Sequence, residues 1–88
     1  MNEKTLYFSS LCPDTAPFKA AMERLGVTAR EVDITASMRN LKEFLRVRDT
    51  KEVFTPRKEQ GMVGIPCLVM NDGQYLFEVS ELEERFAK

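Results

Sequence analysis

The sequence predicts an α/β fold of order β-α-β-α-β-β-α, one four-stranded mixed sheet flanked by helices. Three observations carry this expectation. A β-branched and aromatic run near the N-terminus leads into helical spacing and then a second alternating segment, all within the roughly 30 residues of a βαβ unit. Asn71-Asp72-Gly73 separates two apolar runs, and Asp-Gly readily supplies the positive φ of a tight hairpin. Ser80, followed three residues later by Glu83, opens a closing helix as a capping box, with Leu82 and Phe86 on its apolar side.

Each element has its own justification. Thr5 to Ser9 reads as a short buried strand. Ser10 to Thr15 carries turn and N-cap chemistry. Phe18, Ala21, Met22 and Leu25 then repeat at i, i+3, i+4 and i+7, and Gly26 stands at the stop. Val27 to Ile34 alternates as a second strand. Ser37 is the expected cap of a second helix bearing Met38, Leu41, Phe44 and Leu45, which Asp49-Thr50 weakens. Thr55-Pro56 restarts a helix that Gly61 ends. Gly64 to Met70 is a dense apolar run expected as the central strand, and Gln74 to Val79 returns antiparallel to it.

Composition narrows the function classes. The chain has 88 residues, enough for one domain over 1–88, and 43% of them are hydrophobic, too many for a disordered chain. Its net charge of −1 lacks the basic excess of a nucleic-acid binder. No apolar run reaches the ~20 residues of a membrane helix, and the start Met1-Asn2-Glu3-Lys4 lacks a leader's apolar region, so a cytoplasmic protein without membrane partners is expected. With no histidine and two cysteines, neither a metal centre nor histidine-based nucleophilic catalysis is expected. Between residues 38 and 58, seven basic residues face three acidic ones, a net +4 that reads as a solvated helix face or an anion-binding rim.

Thiol chemistry is the remaining economical choice, and two broken local rules locate it. Cys12-Pro13 sits at a strand-to-helix junction, where amide N–H groups lack partners and the positive end of the helix dipole favours a thiolate. Thr15, one turn on, is expected to donate its hydroxyl to the same sulfur or to cap a helix starting at Ala16-Pro17. Pro66 opens a strand that must be central although it cannot donate to a sheet ladder. It is either a strand-starting trans residue or a cis bond that leaves the Ile65 backbone open to an incoming peptide or tripeptide. Cys67 lies on the other strand face from Pro66. It reads as a small core residue, or as a resolving thiol that closes a disulfide with Cys12.

Taken together, Cys12-Pro13-Asp14-Thr15 after an N-terminal strand, Gly64-Ile65-Pro66 before a buried strand, the hairpin and the closing helix resemble the glutaredoxins of the thioredoxin-fold superfamily. The likeness spans essentially the whole chain and looks strongest to bacterial glutaredoxin-related proteins. It implies a cis Ile65–Pro66 bond, Cys12 as the attacking thiol with Pro66 packed against it, and glutathione as a co-substrate rather than a tightly bound cofactor. It also implies disulfide-containing proteins as partners, and Ser80 and Glu81 where the family receives the γ-glutamyl end.

The departures define the expected chemistry. Thr15 replaces the second motif cysteine, leaving monothiol exchange resolved by glutathione or another low-molecular-weight thiol. Ser9 and Ser10 stand where the family has a lysine, and Glu78-Val79 replaces its Gly-Gly pair. The motif is not the Cys-Gly-Phe-Ser of iron–sulfur-carrying relatives. The competing expectation is a thioredoxin-fold module that binds a peptide or partner beside Ile65-Pro66 without a redox step.

Overall fold

A computed structural model describes residues 4–87. Met1-Asn2-Glu3, part of the start from which the lack of a leader is read, lies outside the described residues. The chain runs β1 (Thr5–Phe8), α1 (Thr15–Arg24), β2 (Arg30–Asp33), α2 (Met38–Thr50), a 3₁₀ turn (Glu52–Phe54), α3 (Thr55–Glu59), β3 (Cys67–Val69), β4 (Tyr75–Leu76) and α4 (Val79–Phe86). The sheet order is β2-β1-β3-β4. β1 runs parallel to β2, with Tyr7 opposite Val32, and antiparallel to β3, with Tyr7 opposite Cys67. β3 and β4 form the closing hairpin, with Leu68 opposite Leu76. The expected α/β architecture is therefore present, in a thioredoxin-like topology. Among the described residues no helix is long and apolar enough to cross a membrane.

Strand alternation builds two different cores. Leu6, Phe8, Leu68 and Leu76 meet Phe18 and Met22 of α1 and Leu82 of α4 on one face. On the other, Tyr7, Val32 and Cys67 meet Phe44 of α2, Phe54 and Phe77. This second face is aromatic: Phe54 stands edge-on to Phe44, Tyr75 and Phe77 with ring centroids 5.2–5.9 Å apart. Such pairs contribute about 0.5–1.5 kcal/mol each beyond the area they bury. Tyr7 reaches the edge of this core, where its hydroxyl donates to Glu43 Oε2 at 2.9 Å and Arg30 donates to the same oxygen at 2.6 Å. β1, β2 and α2 are thereby tied by one carboxylate.

The ends of several elements differ from the sequence expectation. Ser37 caps α2 as expected, accepting from Asn40 N–H at 3.1 Å. α2 nonetheless continues through Asp49-Thr50, because the Thr50 hydroxyl donates back to the Arg46 carbonyl at 2.7 Å instead of competing outside the helix. The strands are shorter than their apolar runs: β3 begins only at Cys67, since Gly64-Ile65-Pro66 is loop, and β4 ends at Leu76. The expected Ser80–Glu83 capping box is corrected to Glu78 and Glu81. Each of these two side chains accepts from the other's backbone N–H, so α4 begins at Val79. The hairpin turn holds as expected, with Gly73 at φ +89° and its N–H donating to the Met70 carbonyl.

Candidate functional site

The register puts the site at one end of the two central strands. Because β1 and β3 are antiparallel, with Tyr7 opposite Cys67, the residues leaving β1 and those entering β3 emerge together. The first group is Ser9 to Asp14 and the second is Gly64 to Pro66.

Ser9 is the hub of the first segment. Its side chain is buried, its hydroxyl accepts from Leu11 N–H at 3.0 Å, and it pairs with the Thr35 hydroxyl at 2.9 Å. Its carbonyl accepts from Cys12 N–H at 3.1 Å and from the Thr15 hydroxyl at 2.7 Å. Thr15 N–H in turn donates to the Cys12 carbonyl at 3.1 Å. Cys12 thus sits in a turn pinned from both sides, half-exposed, with a free thiol. The expectation that Thr15 donates to the Cys12 sulfur is corrected here, because its proton is directed at the Ser9 carbonyl inside the fold. Nor does Thr15 cap a later helix. It is the first residue of α1, Asp14 is the cap position, and Pro17 falls inside the first turn, where a missing N–H costs nothing.

Cys12 and Pro13 line an open groove of about 440 Å³ with Leu11, Ala16 and Lys19. Lys19 Nζ lies 3.8 Å from the centre of the Phe8 ring and 3.1 Å from Glu31. Leu11 is 80% exposed beside the thiol.

A second groove, of about 160 Å³, lies across the first turn of α1, lined by Asp14 and Pro17 together with Arg57, Ile65, Pro66 and Glu78. The Ile65–Pro66 peptide is cis. Gly64, at φ +102°, lies so close to Phe54 that a Cβ there would meet its ring at 2.9 Å, so the loop rests directly on the aromatic core. Arg48 of α2 holds the same loop by donating to the Met62 carbonyl at 3.1 Å. The Arg57 guanidinium stacks 3.7 Å from the centre of the Phe77 ring and 3.9 Å from the Glu78 carboxylate.

The other candidate residues fall elsewhere. Cys67 is fully buried in the aromatic core, and burial pushes its thiol from the ordinary 9.0 up to about 12, so it is held protonated. Ser80 is exposed on α4, and Glu81 spends its carboxylate on Phe77 N–H at 2.8 Å and Glu78 N–H at 3.0 Å. Glu78 and Val79 line the groove in their stead. Among the described residues, no group of three or more cysteine and carboxylate side chains could hold a metal ion.

Sequence reasoning missed Lys19 as a member of the site and named Ser9 and Glu78 only as departures from the resembled family's pattern. It noted Arg57 only within the basic stretch. A buried serine bonded through its backbone carbonyl has no pattern in a sequence, whereas the spacing of Lys19, one helical turn beyond Ala16, did carry a signal.

A protein of Haemophilus influenzae (strain Rd), described as uncharacterized, is 42% identical to this chain over 86 residues, covering 98% of this chain and 100% of its own. The chain belongs to that protein's family. No family model and no solved structure matches it.

Proposed function

We propose that the protein is a monothiol thiol–disulfide oxidoreductase acting through Cys12, of the glutaredoxin type its sequence resembles. The supporting observation is the half-exposed Cys12 thiol, held by Ser9 at the start of α1, at the end of the sheet where Gly64-Ile65-Pro66 also emerges. A cysteine in a pinned turn that lines an open groove suits exchange chemistry, and the pinned turn lowers the entropy of reaching the attack geometry. The Cys12 thiolate attacks one sulfur of a disulfide R–S–S–R′, forming Cys12–S–S–R and releasing R′–S⁻. A second thiol, glutathione or another low-molecular-weight thiol, attacks that mixed disulfide and restores the Cys12 thiolate. R departs joined to that thiol as a new disulfide, so each turn consumes one external thiol, and a second external thiol is needed only to free R from it. No resident cofactor enters, and Cys67 stays in the core.

The test is incubation with glutathione disulfide followed by intact-mass analysis and a coupled reduction assay. A single glutathione adduct on Cys12 and turnover that vanish together in Cys12→Ser are expected. Equal turnover by that variant would falsify the assignment. A second reading, a non-redox binding module, draws on the exposed Leu11, Met62 and Val63 near the same end of the sheet. It predicts no adduct at all.

A further inference from the structure

The groove across the first turn of α1 carries a charge pattern that none of the chemistry above uses. Its charged lining residues are Asp14, Arg57 and Glu78, a formal sum of −1. The one cation is already engaged, since Arg57 is three-quarters buried, lies flat on Phe77 and stands 3.9 Å from Glu78. The other basic residues of α2 and α3 do not line this groove. The two acids are differently placed. Glu78 is exposed, with its carboxylate at the head of α4 accepting the Glu81 N–H. Asp14 stands exposed at the head of α1, and its side chain makes no capping hydrogen bond. An anionic ligand entering here must compete with Glu78 for Arg57 and face two carboxylates, whereas a cation meets the exposed Asp14 carboxylate without displacing Arg57 from Glu78, an attraction that salt weakens.

Resting on the disulfide-exchange reading, we propose that this groove selects the disulfide substrate by charge. It takes polypeptide disulfides with a Lys or Arg beside the reacting cysteine, and Asp14 and Glu78 are the specificity-determining residues. Cys12 and Asp14 are two residues apart and open onto neighbouring grooves. A substrate whose sulfur is on Cys12 therefore lays its adjoining residue over the α1 turn toward the two acids. The bond chemistry is unchanged: Cys12 attacks, the S–S bond breaks and the leaving thiolate departs, with an added low-molecular-weight thiol closing the cycle.

The experiment uses two short peptides, identical except for Lys or Asp next to a single cysteine, each carried as the same small-thiol mixed disulfide. The rate of peptide adduct formation on the full-length protein is read by mass spectrometry at low and high salt. The Lys peptide should react about fivefold faster at low salt, with the preference shrinking at high salt. Glu78→Gln and Asp14→Asn should each reduce the ratio. Asp14→Asn removes no capping bond and so keeps the test informative if Glu78→Gln unfolds. Equal rates, a faster Asp peptide, or a Lys preference that survives Asp14→Asn and a folded Glu78→Gln variant overturns the charge selection while leaving exchange at Cys12 standing. Absence of any adduct on Cys12, whether of peptide or of the small thiol, overturns exchange itself, and the selection with it.

Discussion

Cys12 and Cys67 emerge at the same end of the sheet, on segments leaving β1 and entering β3, yet they sit in opposite environments. Cys12 follows a turn whose hydrogen bonds all run to backbone and to Ser9, and its thiol faces an open groove. Cys67 is a strand residue opposite Tyr7, fully buried among Phe44, Phe54 and Phe77. The difference teaches that register alone decides the role of a thiol here. One step into the strand makes it a piece of core, and a four-residue turn beyond the strand leaves it lining an open groove.

The sharpest way to break the comparison is to remove each thiol in turn. Cys12→Ser should abolish mixed-disulfide formation outright, while Cys67→Ala should leave one reactive thiol per chain, both counted by intact mass after reaction with glutathione disulfide. Adduct formation at Cys67 in the folded Cys12→Ser protein would erase the distinction between the two sites.

Next in size is the loop between them. Gly64→Ala forces a Cβ to within 2.9 Å of the Phe54 ring at a φ of +102°, so it should cost about 2–4 kcal/mol in denaturant unfolding. An unchanged midpoint would show that the loop does not rest on the aromatic core as closely as its geometry indicates.

Cys67 itself gives the third effect. Cys67→Ser puts a hydroxyl among aromatic rings and should cost about 1–3 kcal/mol. The thiol also links stability to pH. Its pKa rises from 9.0 in the open chain to about 12 in the fold, so the folded state holds the proton while the unfolded chain loses it. That contribution is complete below about pH 9 and drains away as pH climbs toward about 12. Tyr7, whose hydroxyl is also pushed up, chiefly by burial, acts in the same direction above its ordinary 10.0. Melting curves across that range should therefore fall less steeply for Cys67→Ala than for the parent, and identical slopes would remove Cys67 as the source.

The succession of strands and helices along the chain, the two glycine stops after α1 and α3, the Ser37 cap and the hairpin were legible because each depends on local chemistry: periodicity, positive φ, a side-chain cap. The Cys12 and Pro66 positions were legible because they break local rules. What escaped was set by short-range partners that no spacing rule names in advance. Ser80 has the better local cap chemistry, yet Glu78 takes the cap, because Glu81 reaches back to bind both Phe77 N–H and Glu78 N–H. The Thr15 hydroxyl was expected at the sulfur from its spacing alone, and only the path of β1 shows the Ser9 carbonyl waiting for it.

Ser9 supplies the smallest predicted effect and the one that most directly separates holding Cys12 from merely exposing it. Ser9→Ala keeps the carbonyl that receives Cys12 N–H and Thr15 Oγ1, but removes the hydroxyl that receives Leu11 N–H and pairs with Thr35. The global cost should be about 1–2 kcal/mol, the price of two hydrogen bonds partly replaced by water. If the pinned turn matters for attack, the variant should form the glutathione adduct more slowly while its Cys12 reacts with a small alkylating reagent at nearly the parent rate. A small alkylator needs only access, whereas exchange needs the sulfur aligned with the S–S axis. Ser9→Thr, which restores a hydroxyl, should recover part of the exchange rate. If Ser9→Ala exchanges as fast as the parent, the turn is scaffolding for the fold alone, and access explains all of what distinguishes Cys12 from Cys67.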